Sequence, residues 1–176
     1  AYLENHNKNT AIYKIKYKFR FADENNIYIG KREGETTVLP GMKFAVFESA
    51  INIGNSIPVY TTFEFTEVPI WIYVPVEKIN QLKIIVSNIN LVNVDTSPVL
   101  SAYIRNTSLF PINSLSVIGI LYDIKGNAVS SSRTFLNSLR GEENREITFT
   151  WPEPIKQEIV TKEIIPIFNI FDVQLK

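Results

Sequence analysis

The sequence predicts an all-β protein that consists of two tandem, antiparallel β-sandwich modules. The first observation behind this prediction is an internal duplication, because three blocks of sequence recur at a nearly constant offset. The second is a strict alternation of apolar and charged residues, which has the period of a strand rather than of a helix. The third is the regular spacing of turns rich in Gly, Pro, Asn and Asp.

The duplication sets the predicted domain boundaries. Three pairs of blocks match: residues 19–23 (FRFAD) with 119–123 (GILYD), 1–5 (AYLEN) with 102–106 (AYIRN), and 39–41 (LPG) with 139–141 (LRG). With the boundary placed in the stretch 75–78 (PVEK), the modules are predicted to span residues 1–76 and 77–176. Only the second has a predicted strand, 82–94, ahead of its first matched block, so the first module is expected to lack its first strand.

The elements of the first module follow from its alternation and its turns. From Ile12 to Phe21, aromatic and aliphatic residues occupy one face of a strand and basic residues the other. The cluster 23–26 turns the chain, since Asp accepts hydrogen bonds from the amides that follow it and Asn tolerates positive φ. The remaining prediction is a short strand at 27–29, a charged loop at 30–34, a strand at 43–48, a loop at 52–58, and residues 59–73 as one strand or as two broken at Pro69.

The second module repeats this order after its additional strand. Asp95 to Pro98 ends the strand 82–94, and Asp123 to Asn127 forms the second copy of the acidic turn. Pro152 to Pro154 breaks the chain before a final strand within 158–171. The other predicted strands are 99–105, 115–122, 128–129, 133–136 and 145–151.

The two copies of the central block resemble the FxLYD domain family. The first copy keeps the Phe and the Asp of that signature, and the second keeps Leu121, Tyr122 and Asp123. The resemblance implies an immunoglobulin-like fold for both modules and a location outside the cytoplasm, in a bacterial cell envelope or at the cell surface. It implies no reaction, because one fold hosts many functions.

Composition narrows the classes of partner and chemistry. The chain has 18 basic and 18 acidic residues and no cysteine, so neither a strong field for nucleic acid nor thiol chemistry is expected. The longest apolar run, residues 70–76, is too short to cross a bilayer. Membrane attachment is expected only through an N-terminal anchor that precedes this sequence, and no cofactor is predicted.

No motif predicts catalysis or a metal site. His6 is the single histidine, and no nucleophile elbow or phosphate-binding glycine loop is present. The two acidic turns carry oxygen ligands that calcium uses, but turn chemistry accounts for the same residues. The protein is therefore predicted not to be an enzyme, with a carboxylate-dependent hydrolase as the third of three hypotheses.

The first hypothesis is a structural or binding module that associates with a protein partner, or with itself, through sheet edges and loops. The predicted contact surface comprises Ile118, Ile120, Trp71 and Tyr73. The two isoleucines fall on the outward face of their strand and need cover, either from the chain itself or from a partner.

The second hypothesis is that the chain binds an anionic glycan or cell-wall polymer. Its candidate residues form a basic row on one strand face: Lys14, Lys16, Lys18 and Arg20. The alternative is that acids such as Glu33, Glu35 or Glu48 pair with this row across the sheet.

Overall fold

The computed structural model describes residues 1–54 and 56–174 and divides the chain into two compact units, Ala1–Tyr73 and Val74–Lys176. Antiparallel strands form several sheets that pack in the manner of a sandwich, so the predicted all-β class is confirmed. Asn55, within the predicted loop 52–58, lies outside the described residues, as do Leu175 and Lys176.

The first unit is organised around its long second strand. Its strands are β1 (Tyr2–Glu4), β2 (Thr10–Ala22), β3 (Tyr28–Val38), β4 (Lys43–Ala45), β5 (Tyr60–Phe65) and β6 (Ile72–Tyr73). One sheet has the order β3-β2-β5, with β6 paired to the start of β2, and the other sheet contains β1 and β4. The alternation of β2 buries Ile15, Tyr17, Phe19 and Phe21 on one face, as its sequence predicts.

The second unit begins with a short helix and has two three-stranded sheets. Its elements are α1 (Val76–Gln81), β7 (Ile84–Val92), β8 (Val99–Asn106), β9 (Ile112–Tyr122), β10 (Ala128–Leu139), β11 (Asn144–Thr150) and β12 (Thr161–Ile167). The sheets have the orders β11-β8-β7 and β10-β9-β12. Gly119 on β9 lies close to the facing sheet, because a Cβ there would be 3.1 Å from Leu100 Cδ2 and 3.3 Å from Phe149 Cγ.

The duplication is visible strand by strand. β1 to β5 of the first unit correspond in order and pairing to β8 to β12 of the second. β8 pairs with both β11 and β7, whereas among the described residues β1 pairs with β4 alone. The first unit therefore has no counterpart of β7 within the described part of the chain, in agreement with the expectation of a missing first strand.

Each unit is also tied together by an asparagine at the end of an equivalent strand. The Nδ2 of Asn106 donates to the carbonyl oxygens of Phe110, Leu139 and Arg140 at 2.7, 3.2 and 3.0 Å, and its Oδ1 accepts from the Ser108 amide at 3.0 Å. The equivalent Asn5 donates to the carbonyl oxygens of Thr10 and Leu39 and accepts from the Asn7 amide. Both side chains are buried, and each holds together the end of its own strand, the turn that follows it and a segment more than thirty residues away.

Some predicted bounds are wrong. Residues 30–34 are not a loop but part of β3, because the whole segment pairs with β2. Likewise the two short strands predicted at 128–129 and 133–136 form one strand, β10. The sequence predicted no helix, yet α1 occupies Val76–Gln81. Strands β3 and β10 contain stretches of polar residues that do not alternate with apolar ones, so their sequences do not indicate a strand. Their conformation is set by backbone hydrogen bonds to the neighbouring strand.

Candidate binding surfaces

The basic row lies on the exposed face of the sheet β3-β2-β5, and acids on the neighbouring strands pair with it. Lys14 Nζ is 2.5 Å from Glu35 Oε2, and Lys18 Nζ is 3.6 Å from Glu33 Oε1. Register explains the second contact, since Lys18 and Glu33 are directly opposite each other on β2 and β3. Two of the three acids proposed from sequence therefore pair with the row.

Strand β5 supplies a carboxylate from the other side of β2. Glu64 Oε1 lies 2.8 Å from Arg20 Nη2 and 3.8 Å from Lys18 Nζ. Lys16 Nζ is 3.9 Å from Glu67 Oε2, just beyond the end of that strand. All four cations of the basic row thus have a carboxylate within ion-pair distance, and their local charge is largely neutralised.

Two pKa shifts reflect ion pairs on this face of the sheet, one within the basic row and one between Glu33 and the neighbouring Lys31. The hydrogen bond and the charge of Glu35 raise the pKa of Lys14, and the Lys31 ammonium lowers the pKa of Glu33 through a hydrogen bond and its charge. Both shifts are in the direction that favours the charged form of the group, as expected beside an opposite charge. Because the groups are exposed, the pairs add little stability, but they oppose recruitment of an anionic polymer.

Glu48 does not pair with the basic row. Its Oε1 instead accepts a 2.6 Å hydrogen bond from the hydroxyl of Tyr17, which belongs to the buried face of β2. Since alternate residues of a strand point to opposite faces, a partner of Tyr17 lies away from the lysines. Glu48 lies in the loop after β4, where the alternation of a strand does not apply. The sequence therefore could not predict which face of the sheet its side chain contacts.

Ile118 and Ile120 are not available as a contact surface. They are only 3% and 6% exposed, so the chain itself covers them and leaves no surface there for a partner. The neighbouring strand β12 continues this apolar face, since Ile165 lies opposite Ile118 and is also buried. The predicted cover therefore exists, and the expectation that these residues form a contact surface is wrong.

Trp71 and Tyr73 do lie at the surface, with 44% and 62% exposure. They belong to a run of apolar side chains, residues 68–73, in which Val68 and Ile70 are more exposed still. Two residue pairs join this run to β2, Thr10 with Tyr73 and Ala11 with Ile72. Exposed apolar side chains that follow one another along the chain are uncommon on a monomer and are typical of an interaction site.

The acidic turns bind their own backbone. Asp123 Oδ1 accepts from the amides of Lys125 and Asn127 at 2.9 and 2.8 Å, and Asp23 Oδ1 accepts from the amides two and four residues further on in the same way. The hydrogen bonds from Asn127 and then Lys125 lower the pKa of Asp123. Within residues 1–54 and 56–174, no three His, Cys, Asp or Glu side chains converge as a metal site would require.

One surface feature was not predicted from the sequence. Tyr28 and Tyr60 lie opposite Ala22 on its two sides, so two exposed tyrosines share one row across the sheet. Tyr28 falls in the predicted strand 27–29 and Tyr60 near the start of the predicted strand 59–73, but sequence gave no register between them. The repeat aligns residue 28 with Ala128 but gives no register between strands, so no signal in the sequence relates Tyr28 to Tyr60.

Comparison with protein-family models finds no matching family, and comparison with curated proteins finds no match. Among solved structures, the chain is similar to "a beta-glucuronidase from glycoside hydrolase family 2", with a TM-score of 0.30 and 8% identity. The match covers 94% of this chain and 22% of that chain, so the chain spans about a fifth of that enzyme's length. At this TM-score the likeness carries no argument about function.

None of the helices in the described part of the chain has the length and apolarity that a membrane span requires.

Proposed function

We propose that this protein is a non-catalytic binding module with immunoglobulin-like domains that associates with a protein partner at a bacterial cell envelope or surface. The observation that carries the proposal is the exposed apolar run at residues 68–73, with Trp71 and Tyr73 at its end. Aromatic residues dominate the energetics of protein interfaces, since they bury a large area with few rotatable bonds.

The position of this run favours association through a sheet edge. Strand β6 has two residues and pairs with the start of β2, which makes it a short strand at the side of the unit. A strand at the side of a sheet leaves backbone groups unpaired, and a partner can add a strand there or pack apolar side chains against it. The preceding residues include Pro69, which removes one backbone donor and limits how far an added strand extends along this edge.

The immunoglobulin-like assignment and the location are supported by the FxLYD resemblance. In both units the aspartate of that signature closes the turn after the central strand through the same two amide hydrogen bonds. The signature therefore has a structural role in this chain, at a position where strand β2 or β9 ends. The location is inferred from the family resemblance alone.

Site-specific photo-crosslinking tests the proposal. In one variant a photoreactive amino acid replaces Trp71, and in a control variant it replaces the similarly exposed Phe135 of the second unit. Both variants are produced in bacterial cells with an intact envelope. We expect a defined adduct from position 71 and none from position 135. Adducts of equal yield and identity at both positions, or none at position 71, would contradict association through this segment.

A second measurement separates self-association from binding of another protein. Sedimentation velocity over a concentration series is run on the native chain and on the double variant Trp71→Ala/Tyr73→Ala. A mass that rises with concentration in the native chain, and not in the variant, identifies a second copy as the partner. If the native chain is a monomer at all concentrations, the partner is another protein, which the crosslinked adduct identifies.

A further inference from the structure

The row formed by Tyr28, Ala22 and Tyr60, here called the tyrosine row, crosses three strands on the exposed face of the first unit. Ala22 of β2 lies opposite Tyr28 of β3 and Tyr60 of β5. The two tyrosines are 59% and 52% exposed. Because neighbouring strands are about 4.8 Å apart, the two tyrosine backbones are roughly 10 Å apart, with only a methyl group between them.

The adjacent row on the same face carries hydrogen-bonding groups. Arg20 lies opposite Lys31 on one side and Thr62 on the other. The side chains of Lys31 and Arg20 reach Glu33 and Glu64 of the following row at 2.9 and 2.8 Å. This part of the sheet therefore presents an aromatic strip beside a strip of donors and acceptors whose charges are mutually paired.

The second unit shows that the fold does not require these tyrosines. Tyr122 of β9 occupies the position of Ala22, and its partners on the two sides are Ala128 and Thr161. The backbone around the row is the same, since the Val59 amide donates to the Ala22 carbonyl as the Val160 amide donates to the Tyr122 carbonyl. A large exposed ring at positions 28 and 60 is thus a property of the first unit and not of the duplicated fold.

We propose that the tyrosine row and the adjacent row together bind a neutral oligosaccharide. The apolar C–H face of a sugar ring packs on an aromatic ring, whose face carries negative charge from its quadrupole. The sugar hydroxyls both donate and accept, which matches the carboxylates and cations beside the rings. This activity is separate from protein association at residues 68–73.

Charge complementarity favours a neutral sugar over an anionic polymer. Both cations of the row next to the tyrosines already have a carboxylate partner: Arg20 pairs with Glu64 and Lys31 pairs with Glu33. Glu33 raises the pKa of Lys31 through a hydrogen bond and its charge. An anionic ligand would have to displace these carboxylates, whereas hydroxyl groups can join the existing network.

The division into strips favours a sugar over a protein surface. The two rings are separated by Ala22 and bordered on one side by the charged row of Arg20 and Lys31, whereas protein interfaces have a continuous apolar centre. A sugar chain alternates apolar faces with hydroxyl edges at short spacing, which corresponds to the alternation of aromatic and polar rows across this sheet.

Calorimetric titration of the full chain with cellohexaose, xylohexaose, mannohexaose and chitohexaose tests the proposal, with hexagalacturonate as the anionic probe. We expect saturable binding of at least one neutral hexasaccharide, and little dependence on salt. The double variant Tyr28→Ala/Tyr60→Thr installs the residues that the second unit carries at these positions. It should keep the thermal unfolding midpoint and weaken binding by about three- to tenfold for each ring removed.

The control is Tyr73→Ala, which removes an equally exposed tyrosine from the segment proposed for protein association and should leave sugar binding unchanged. The proposal is overturned if no neutral hexasaccharide binds, if the double variant binds as tightly as the native chain, or if hexagalacturonate binds in preference. It is also overturned if the double variant abolishes self-association, because the row is then a protein contact. Failure of the Trp71 crosslink leaves this result unaffected, so the two proposals fail separately.

Discussion

Replacement of Asn106 by alanine tests whether one buried amide holds the second unit together. The side chain is fully buried and joins the end of β8 to the segments around Phe110 and Leu139. Alanine removes both the donor and the acceptor but leaves the backbone groups that used them in place. The substitution therefore isolates the contribution of the amide from that of the surrounding apolar core.

The expected loss follows from the burial of those groups. The bonds to the Leu139 carbonyl and from the Ser108 amide and hydroxyl are buried, whereas those to Phe110 and Arg140 are partly exposed and water can replace them. The Ser108 hydroxyl retains the Phe110 carbonyl as an acceptor, so the Leu139 carbonyl and the Ser108 amide are the two groups that lose a buried partner. A buried polar group that loses its partner costs about 1–3 kcal/mol. Two such groups predict a decrease of roughly 3 kcal/mol in the free energy of unfolding of this unit.

The chain offers a fluorescence probe for that unit alone. It contains two tryptophans, and Trp151 is buried in the second unit at the end of β11. In a Trp71→Phe background, urea unfolding followed by fluorescence reports on Trp151 only. With a urea dependence of about 1.5 kcal/mol per molar, the predicted loss lowers the midpoint by about 2 M.

Asn113→Ala is the matched control, because Asn113 is exposed on β9 and its loss should change stability by less than about 0.5 kcal/mol. Asn106→Asp keeps the size of the side chain but places a carboxylate against carbonyl oxygens, and it should destabilise at least as much as alanine at neutral pH. A loss below about 1 kcal/mol for Asn106→Ala would refute the reasoning, since the amide would then contribute no more than an exposed one.

Three further predictions concern the turns. Gly141→Ala should strongly destabilise the second unit in urea unfolding, because the new Cβ would overlap the Leu109 backbone, and a near-native midpoint would show that this loop yields. Gly126→Asn should be tolerated, because Asn26 holds the equivalent turn at φ 61°, whereas Gly126→Val should lower the unfolding midpoint through strain. The pKa of Asp123 in the folded protein is lower than its ordinary value of 3.8, so the ionised carboxylate stabilises the fold above pH 3.8. This stabilisation is lost as the pH falls through the lower pKa of the folded state. Asp123→Asn should therefore reduce the decrease in the free energy of unfolding that acid causes.

Local patterns were sufficient to predict much of this fold. The alternation in β2 predicted both its conformation and its faces, since side chains along a strand alternate whatever the tertiary context. The aspartate turns were predicted because their hydrogen bonds are local to residues 23–27 and 123–127. Asn5 and Asn106 were matched as repeats, but their role was not predicted, because their acceptors include carbonyls more than thirty residues away.

For the candidate surfaces the sequence was a weaker guide. It predicted that Ile118 and Ile120 need cover and named the chain or a partner as its source, but it could not decide between them, because burial depends on segments distant in sequence. It predicted carboxylate partners for the basic row at Glu33 and Glu35, yet not Glu64, which the pairing of β2 with β5 places there. Register between β2 and β5 was the missing quantity for Glu64.

The sequence by itself determined the strand periodicity, the duplication and the chemistry of the turns, because these depend on covalent geometry and on hydrogen bonds between near neighbours. Only the tertiary structure decided that the chain itself covers the apolar face of the second unit, and which acids pair with the equivalent charged face of the first. The face that carries charges and tyrosines in the first unit is apolar and buried around Ile118 in the second. The physical reason is that solvent exclusion depends on which distant segments pack on a strand, and no local pattern encodes that contact.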